Sequence, residues 1–283
     1  MNTSKNKVYQ IITDQFIQSL KQEKIPWSKP WISEKPVSYN KHVYTGINSL
    51  LLSLTEHKSP IWLTFNKIKS LNGNLKKDSK SQIITFWKSL IYKNNLESGE
   101  TEIKNIPYLR YYKVFNFNDI ENIPLPKWYV KKDKLDFIPM ENAEKISNNY
   151  LTKENLDIKE NGSKAYYNPT KDCIGMPTKE NFFSENEYYS TLFHELNHST
   201  GHNKRLARES FKELFSSKTE YSFEELIAEI GACFLCSEIG ILNKVKNNSK
   251  AYIQSWISVL KNNPKMIINA SGKAQKSVNF ILN

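Results

Sequence analysis

His194-Glu195-Leu-Asn-His198 is the stretch of this chain best equipped to do chemistry. On a helix, residues four apart stand one turn above the other, so the two imidazoles can grip one divalent ion, of which Zn2+ suits nitrogen donors best. Glu195, beside the first imidazole, can take up the proton of a water that the ion activates. A polar lead-in, Ser184-Glu-Asn-Glu, supplies the helix start, and three of the five His in the chain lie between 194 and 202. A solvated helix with ordinary polar residues would not concentrate them in this way.

A catalytic zinc takes three protein ligands and keeps one open position, so a third must come from elsewhere. In Phe223-Glu224-Glu225-Leu-Ile-Ala-Glu229-Ile-Gly, the apolar residues Leu226, Ile227, Ile230, Phe234 and Leu235 recur at helical spacing and predict a second, buried helix. Glu225 and Glu229 share a face of it, and two carboxylates buried together are costly unless paired or bound to metal. We assign Glu225 to the ion and Glu229 to orienting a ligand histidine from behind. Spacing alone leaves the reverse order open. His202 competes for the third place, because His-Glu-x-x-His-x-x-Gly opens the metzincin run, but the last histidine of that run would fall at Lys204. His202 is therefore expected behind the ligands or on the substrate side, and the glutamate-ligand class is favoured.

Two elements must hold these residues, and composition says what surrounds them. The length suits two modest domains. The opening stretch lacks the basic-then-apolar form of a signal peptide, and no run reaches the roughly 18 apolar residues of a membrane span. A cytoplasmic protein is expected. Cys233 and Cys236 fall inside the apolar helix, and with Cys173 they make an odd count, which points to buried thiols. The net charge of +11 is lopsided: residues 1–140 carry +10 and residues 141–283 carry +1. Five of the six Trp also lie in the first half. Two units with different partners follow.

In the first half the periodicity predicts a helix over about 6–24, then a stiff Pro26-Trp27-Ser28-Lys29-Pro30-Trp31 segment that cannot be helical. A second helix opens at Gly46 and a short one covers 66–71. The basic turn Asn72-Gly73-Asn74-Leu75-Lys76-Lys77-Asp78 follows, then strands at 82–87 and 107–116. The expectation is a small α+β domain over 1–126 that binds single-stranded DNA, lysines tracking phosphates and aromatic rings stacking on bases. Trp27, Lys29, Trp31, Tyr44, Asn48, Trp62, Lys76, Lys77, Lys80 and Arg110 are its candidate contacts. A charged, proline-flanked linker occupies 127–140. Residues 141–283 form the metal domain, opening with a helix over 141–150. Strands at 156–158 and 165–167 are expected to pair around Asn161-Gly162. A third at 172–177 is placed at a sheet edge by Pro177, where it could pair with an extended peptide substrate. Terminal helices over 252–260 and 265–282 close the core.

With both halves in view, the chain resembles the ArdC-type antirestriction proteins of plasmids, phages and other mobile elements. The likeness rests on Pro26-Trp27-x-x-Pro30-Trp31, Tyr44-x-Gly46-Ile47-Asn48, Trp62-Leu63-Thr64-Phe65 and Val114-Phe115-Asn116 in the first half. In the second it rests on Ala165-Tyr166-Tyr167-x-Pro169, Asp172-x-Ile174-x-Met176-Pro177, the His194 motif and Glu224-Glu225-Leu226-x-Ala228-Glu229. The resemblance implies an N-terminal domain that binds single-stranded DNA and a C-terminal zincin-like metallopeptidase, which together protect incoming DNA from host restriction. It also implies the ligand order His194, His198, Glu225, since Glu225-x-x-Ala228-Glu229 is similar to a glutamate-zincin segment whose first Glu binds zinc. One departure matters: the family turn often reads Gly-Gly-x-x-Arg-Lys-Gly, and Lys76 in place of Arg keeps the charge but loses the two-pronged grip on phosphate.

The expected chemistry is hydrolysis of a peptide of unknown sequence, a host restriction component being one candidate, with Tyr166, Tyr167 or His202 donating to the oxyanion. Two other functions compete: a coating protein for single-stranded DNA whose zinc is structural, and an accessory factor of replication or mobilisation.

Overall fold

The computed structural model describes residues 2–26, 35–55, 57, 59–95, 101–129, 139–160, 164–209, 218–241 and 250–283. It is a two-domain α+β protein. Helix α1 (Asn2–Lys21) turns one apolar stripe inward, with Ile12, Phe16 and Leu20 fully buried. It stops where Glu23 takes a left-handed φ of 58°. Helix α2 (Gly46–Ser53) follows strand β1 (Val37–Ser38), and β2 (Ile61–Thr64) runs into α3 (Phe65–Ser70), whose first turn is capped by Thr64 accepting from the Lys67 amide.

The basic turn includes β3 (Asn74–Leu75) and leads into the long hairpin of β4 (Gln82–Asn95) and β5 (Thr101–Asn116). β3 pairs with β6 (Ile120–Glu121), while the other strands form a sheet in the order β1-β2-β5-β4. Both hairpin strands run further than their apolar alternation predicted. Pro107 lies within β5 opposite Ser89 of β4, and β2 pairs with β5 only at 114–116, so its missing amide faces a single partner strand.

Helix α4 (Pro139–Glu154) leads to β7 (Asp157–Glu160), β8 (Tyr166–Asn168) and β9 (Cys173–Met176). Two sequence expectations are corrected here. β7 and β8 do not pair with each other: β9 lies between them, parallel to β7 and antiparallel to β8. The third strand is thus central, with all four residues buried, and not an edge. Pro177 falls one residue past its end, so the missing amide never constrained the ladder. Asn161-Gly162 lies outside the described residues.

Helix α5 (Glu185–Ser199) carries the histidine motif; α6 (Lys218–Ile239) carries Glu225; α7 (Lys250–Asn262) and α8 (Met266–Leu282) close the fold. α1 packs on α7 and β5, and α2 packs on α8. One apolar cluster runs from Ile12 and Phe16 through Leu50, Ile83 and Leu109 to Phe193, Leu226, Trp256 and Ile267. Among the described residues no helix is long and apolar enough to cross a membrane.

Candidate metal centre and nucleic-acid face

Ser184 caps α5 by accepting from the Glu187 amide, with Glu185 and Glu187 in the first turn to favour the helix dipole. That fixed start sets the rotation of the helix, and His194, Glu195 and His198 are all buried along it. α6 approaches very closely at Gly231, where a Cβ would run into the Asn197 side chain. The close crossing brings Glu225, less than two turns upstream of Gly231, over the histidines.

The three groups converge. His194 Nε2 and His198 Nε2 stand 3.0 Å apart. Glu225 Oε2 is 3.6 Å from His194 Nε2, and Oε1 is 3.5 Å from His198 Nε2. Ligands about 2.0–2.1 Å from a tetrahedral ion stand about 3.3–3.4 Å apart, so this spacing fits one ion held by two nitrogens and a carboxylate. Together they form the group of His, Cys, Asp and Glu side chains able to hold a metal among the described residues. Burial pulls the His198 ring down, but Glu224 and Glu225 outweigh it and push it up to about 10. Burial likewise raises Glu225, and the two imidazoles overcome it to hold the carboxylate below its usual range. The pocket is built to surround positive charge, and a divalent cation suits it.

Glu224 went unassigned in the sequence, and it is the acid at the back of a ligand: its Oε1 lies 3.5 Å from His198 Nδ1. It is fully buried and gripped by Arg208 through Nε to Oε2 at 3.0 Å and through Nη2 to Oε1. A signal existed, because Glu224 occupies the same helical row as Ala228, Gly231 and Leu235, where an unpaired acid would be costly. Glu229 is buried one turn beyond Glu225. His202 sits on the turn after α5 with Nδ1 3.8 Å from Asp172 Oδ2, away from the three converging groups. Tyr167 donates to Asp172 Oδ1 at 2.6 Å, and Tyr166 lies over Gly175 with its ring half exposed. Tyr221, one turn before Glu225 and half exposed, was not anticipated. Burial, then the Glu225 carboxylate to which it is hydrogen-bonded, push its phenol up to about 12.

The nucleic-acid candidates divide. Tyr44 and Trp62 are packed with Leu52 and Val114 in a small core, which removes their faces from solvent. Asn48 donates to the Thr85 carbonyl at 2.7 Å and accepts from its amide at 2.6 Å, fixing α2 to β4. Lys76, Lys77, Lys80 and Arg110 are exposed, with Lys76 Nζ donating to the Asn118 carbonyl. Trp27, Lys29 and Trp31 lie outside the described residues. Missed in the sequence were Phe86, Lys88 and Tyr112, in the part of the β4–β5 hairpin nearest β2. Phe86 and Tyr112 stack there at 4.6 Å with 5° between planes, on the face that also carries Arg110 and Lys88. Trp87 and Tyr111 are exposed on the opposite face. In the basic turn, Asn72 and Asp78 stand where the ArdC-type pattern has glycine, and both take left-handed φ, 57° and 62°. Asn and Asp are the side chains that tolerate that region.

Residues 6–115 match the family model of the N-terminal domain of anti-restriction factor ArdC, and residues 143–273 match that of a zincin-like metallopeptidase. The crystal structure of antirestriction protein ArdC from plasmid R388, metal-free, superposes with a TM-score of 0.77 at 34% identity over 96% of each chain. The Mn(II)-bound structure of the same protein gives 0.74. Among curated relatives, a DNA primase TraC of Escherichia coli is 29% identical over 98% of this chain, which spans only 27% of that protein's length. A protein of Sinorhizobium fredii, y4eC, is 25% identical over 97% of this chain and 91% of its own. The zincin-like domain implies a divalent metal, and the donor set found in α5 and α6 fits one. The identity and coverage shared with the R388 protein, together with both matched domains, place this chain in the ArdC antirestriction family.

Proposed function

We propose that this protein protects DNA entering a cell from restriction by joining single-stranded DNA binding to a zinc-dependent peptidase. The observation that carries the peptidase reading is the convergence of His194, His198 and Glu225 beside Glu195. When bound, the ion acts as a Lewis acid on water and on a peptide carbonyl. Glu195, buried on α5, accepts a proton from the attacking water and passes it to the leaving amine. Tyr221 keeps its proton at neutral pH and can donate to the oxyanion. β8, which pairs on one side only among the described residues and packs on α5, is the strand edge that could receive an extended peptide. Zn2+ is proposed on the nitrogen-rich donor set; the R388 relative was solved with Mn(II), so both ions belong in the assay. Glu195→Gln should leave metal content intact and lower peptidase rate about 10²–10⁴-fold. Equal cleavage by the variant would take Glu195 out of this role.

The division of labour we propose follows residues 1–126 for DNA, 127–140 as linker and 141–283 for the peptidase, in the cytoplasm. Support for DNA binding comes from the basic first half and the stacked Phe86–Tyr112 pair beside Arg110 and Lys88. Tyr112→Ala should weaken binding to a short single-stranded oligonucleotide by about 1–3 kcal/mol, with a steep salt dependence retained. Unchanged affinity in a fluorescence titration would discard that platform.

The exposed aromatic hairpin also favours a second reading, in which DNA coating alone gives protection and the peptide chemistry is incidental. A restriction assay with Glu195→Ala separates the two: kept protection favours coating, and lost protection with normal DNA binding favours proteolysis. The likeness to a segment of a DNA primase keeps a replication or mobilisation role in view. Phage plating on hosts with and without restriction distinguishes it, since such a role would not depend on the restriction system.

A further inference from the structure

We infer that Arg208 is a positioning residue for the metal centre, acting on His198 through Glu224; this rests on the metal reading above. The side chain of Arg208 is almost entirely buried, and every donor it has is directed at something specific. Nε and Nη2 grip the two oxygens of Glu224. Nη1 donates to Thr200 Oγ1 at 2.5 Å and to Ser277 Oγ at 2.9 Å. Nη2 also reaches the carbonyl of Asn197 at 2.8 Å, at the end of α5. The guanidinium thus ties the last turn of α5, the start of α6 and the middle of α8 to one carboxylate.

The same carboxylate also faces His198 Nδ1, at 3.5 Å. A carboxylate there holds the ring hydrogen on Nδ1 and turns the Nε2 lone pair toward His194 and Glu225. The planar fork of Arg208 grips both oxygens of Glu224 and holds them in the plane that faces the imidazole. The arrangement is more than a structural ion pair because its carboxylate ends on a ligand.

The test must separate loss of fold from loss of metal, because removing one charge of a buried pair leaves the other unpaired. The double variant Glu224→Gln with Arg208→Gln removes both charges and keeps amide donors in place. Metal affinity is read by chelator competition with Zn2+ and Mn2+, and fold by melting of the metal-free protein. The expected result is a melt near that of the unaltered protein with affinity lower by about 10–100-fold. Arg208→Lys, which keeps the charge without the fork, should also lower affinity. Unchanged affinity in either variant overturns the proposal while leaving the metal site standing. An unaltered protein that takes up neither ion overturns the metal reading and this proposal with it.

Discussion

Arg205 joins three segments that meet behind the histidine helix. Its Nη1 and Nη2 hold Asp172 at 2.9 and 3.2 Å, its Nε holds Glu154 at 3.1 Å, and Nη1 also reaches the Ser199 carbonyl. Burial raises Asp172, but the Arg205 fork and the Tyr167 hydroxyl outweigh it and hold the carboxyl at about 2. The carboxyl is depressed relative to the unfolded chain. Its stability contribution is therefore complete above the ordinary value of 3.8 and is lost as pH falls toward about 2. The contribution is on the order of 2 kcal/mol, since one pKa unit is about 1.4 kcal/mol. Asp172 takes a left-handed φ of 46°, which asparagine also accepts, so Asp172→Asn removes charge without straining the turn. Denaturant melts between pH 2 and 5 should show the acid limb shallower in the variant, together with lower stability at pH 7. Parallel curves across that window would mean that the pair carries no linked stability.

At the level of elements, the crossing of α5 and α6 decides whether three side chains become one site. Glycine inside a helix costs about 1 kcal/mol against alanine, so its presence at 231 needs a reason. The reason is the Asn197 side chain, which occupies the space a Cβ would need. Gly231→Ala should therefore destabilise by about 1–3 kcal/mol despite the better helix former, and should weaken metal binding because the helices must part. Improved stability with unchanged metal affinity would show that the contact relaxes at no cost. The same distinction between local and tertiary information explains what could be read in advance. His194, Glu195 and His198 were legible because one turn of one helix relates them. Glu225 could be named from the resemblance and the buried acidic pair, but the role of Glu224 depends on Arg208, sixteen positions away in the chain. β9 between β7 and β8 was not legible, since a short turn signal favours pairing neighbours and says nothing of a later strand inserting. Tyr44 and Trp62 show the limit of composition: aromatic rings that fill a core and rings that stack on a base look alike until the sheet is placed.

Across the whole molecule, the charge asymmetry suggests two independent units, whereas the apolar core joins them. Val8, Ile12, Phe16, Ile17 and Leu20 of α1 are all buried, against α7 and β5 within a cluster that continues into the metal domain. Thr13 Oγ1 donates to the Pro264 carbonyl at 2.7 Å, and the Gly46 amide donates to Gln275 at 3.1 Å. Burying five such side chains is worth on the order of 10 kcal/mol at about 1.5–3 kcal/mol each, an upper estimate. That is comparable to the whole stability of a typical domain, about 5–15 kcal/mol. A fragment ending at residue 126 would leave much of that surface in water. The full chain should therefore unfold in one calorimetric transition, and the fragment alone should melt broadly, bind the apolar dye ANS or aggregate. Two separable transitions, with the fragment melting as it does within the full chain, would show instead that the shared core contributes little. The same reasoning fixes how DNA binding must be measured: Tyr112→Ala belongs in the full-length protein, because in an isolated half lost affinity could reflect lost structure.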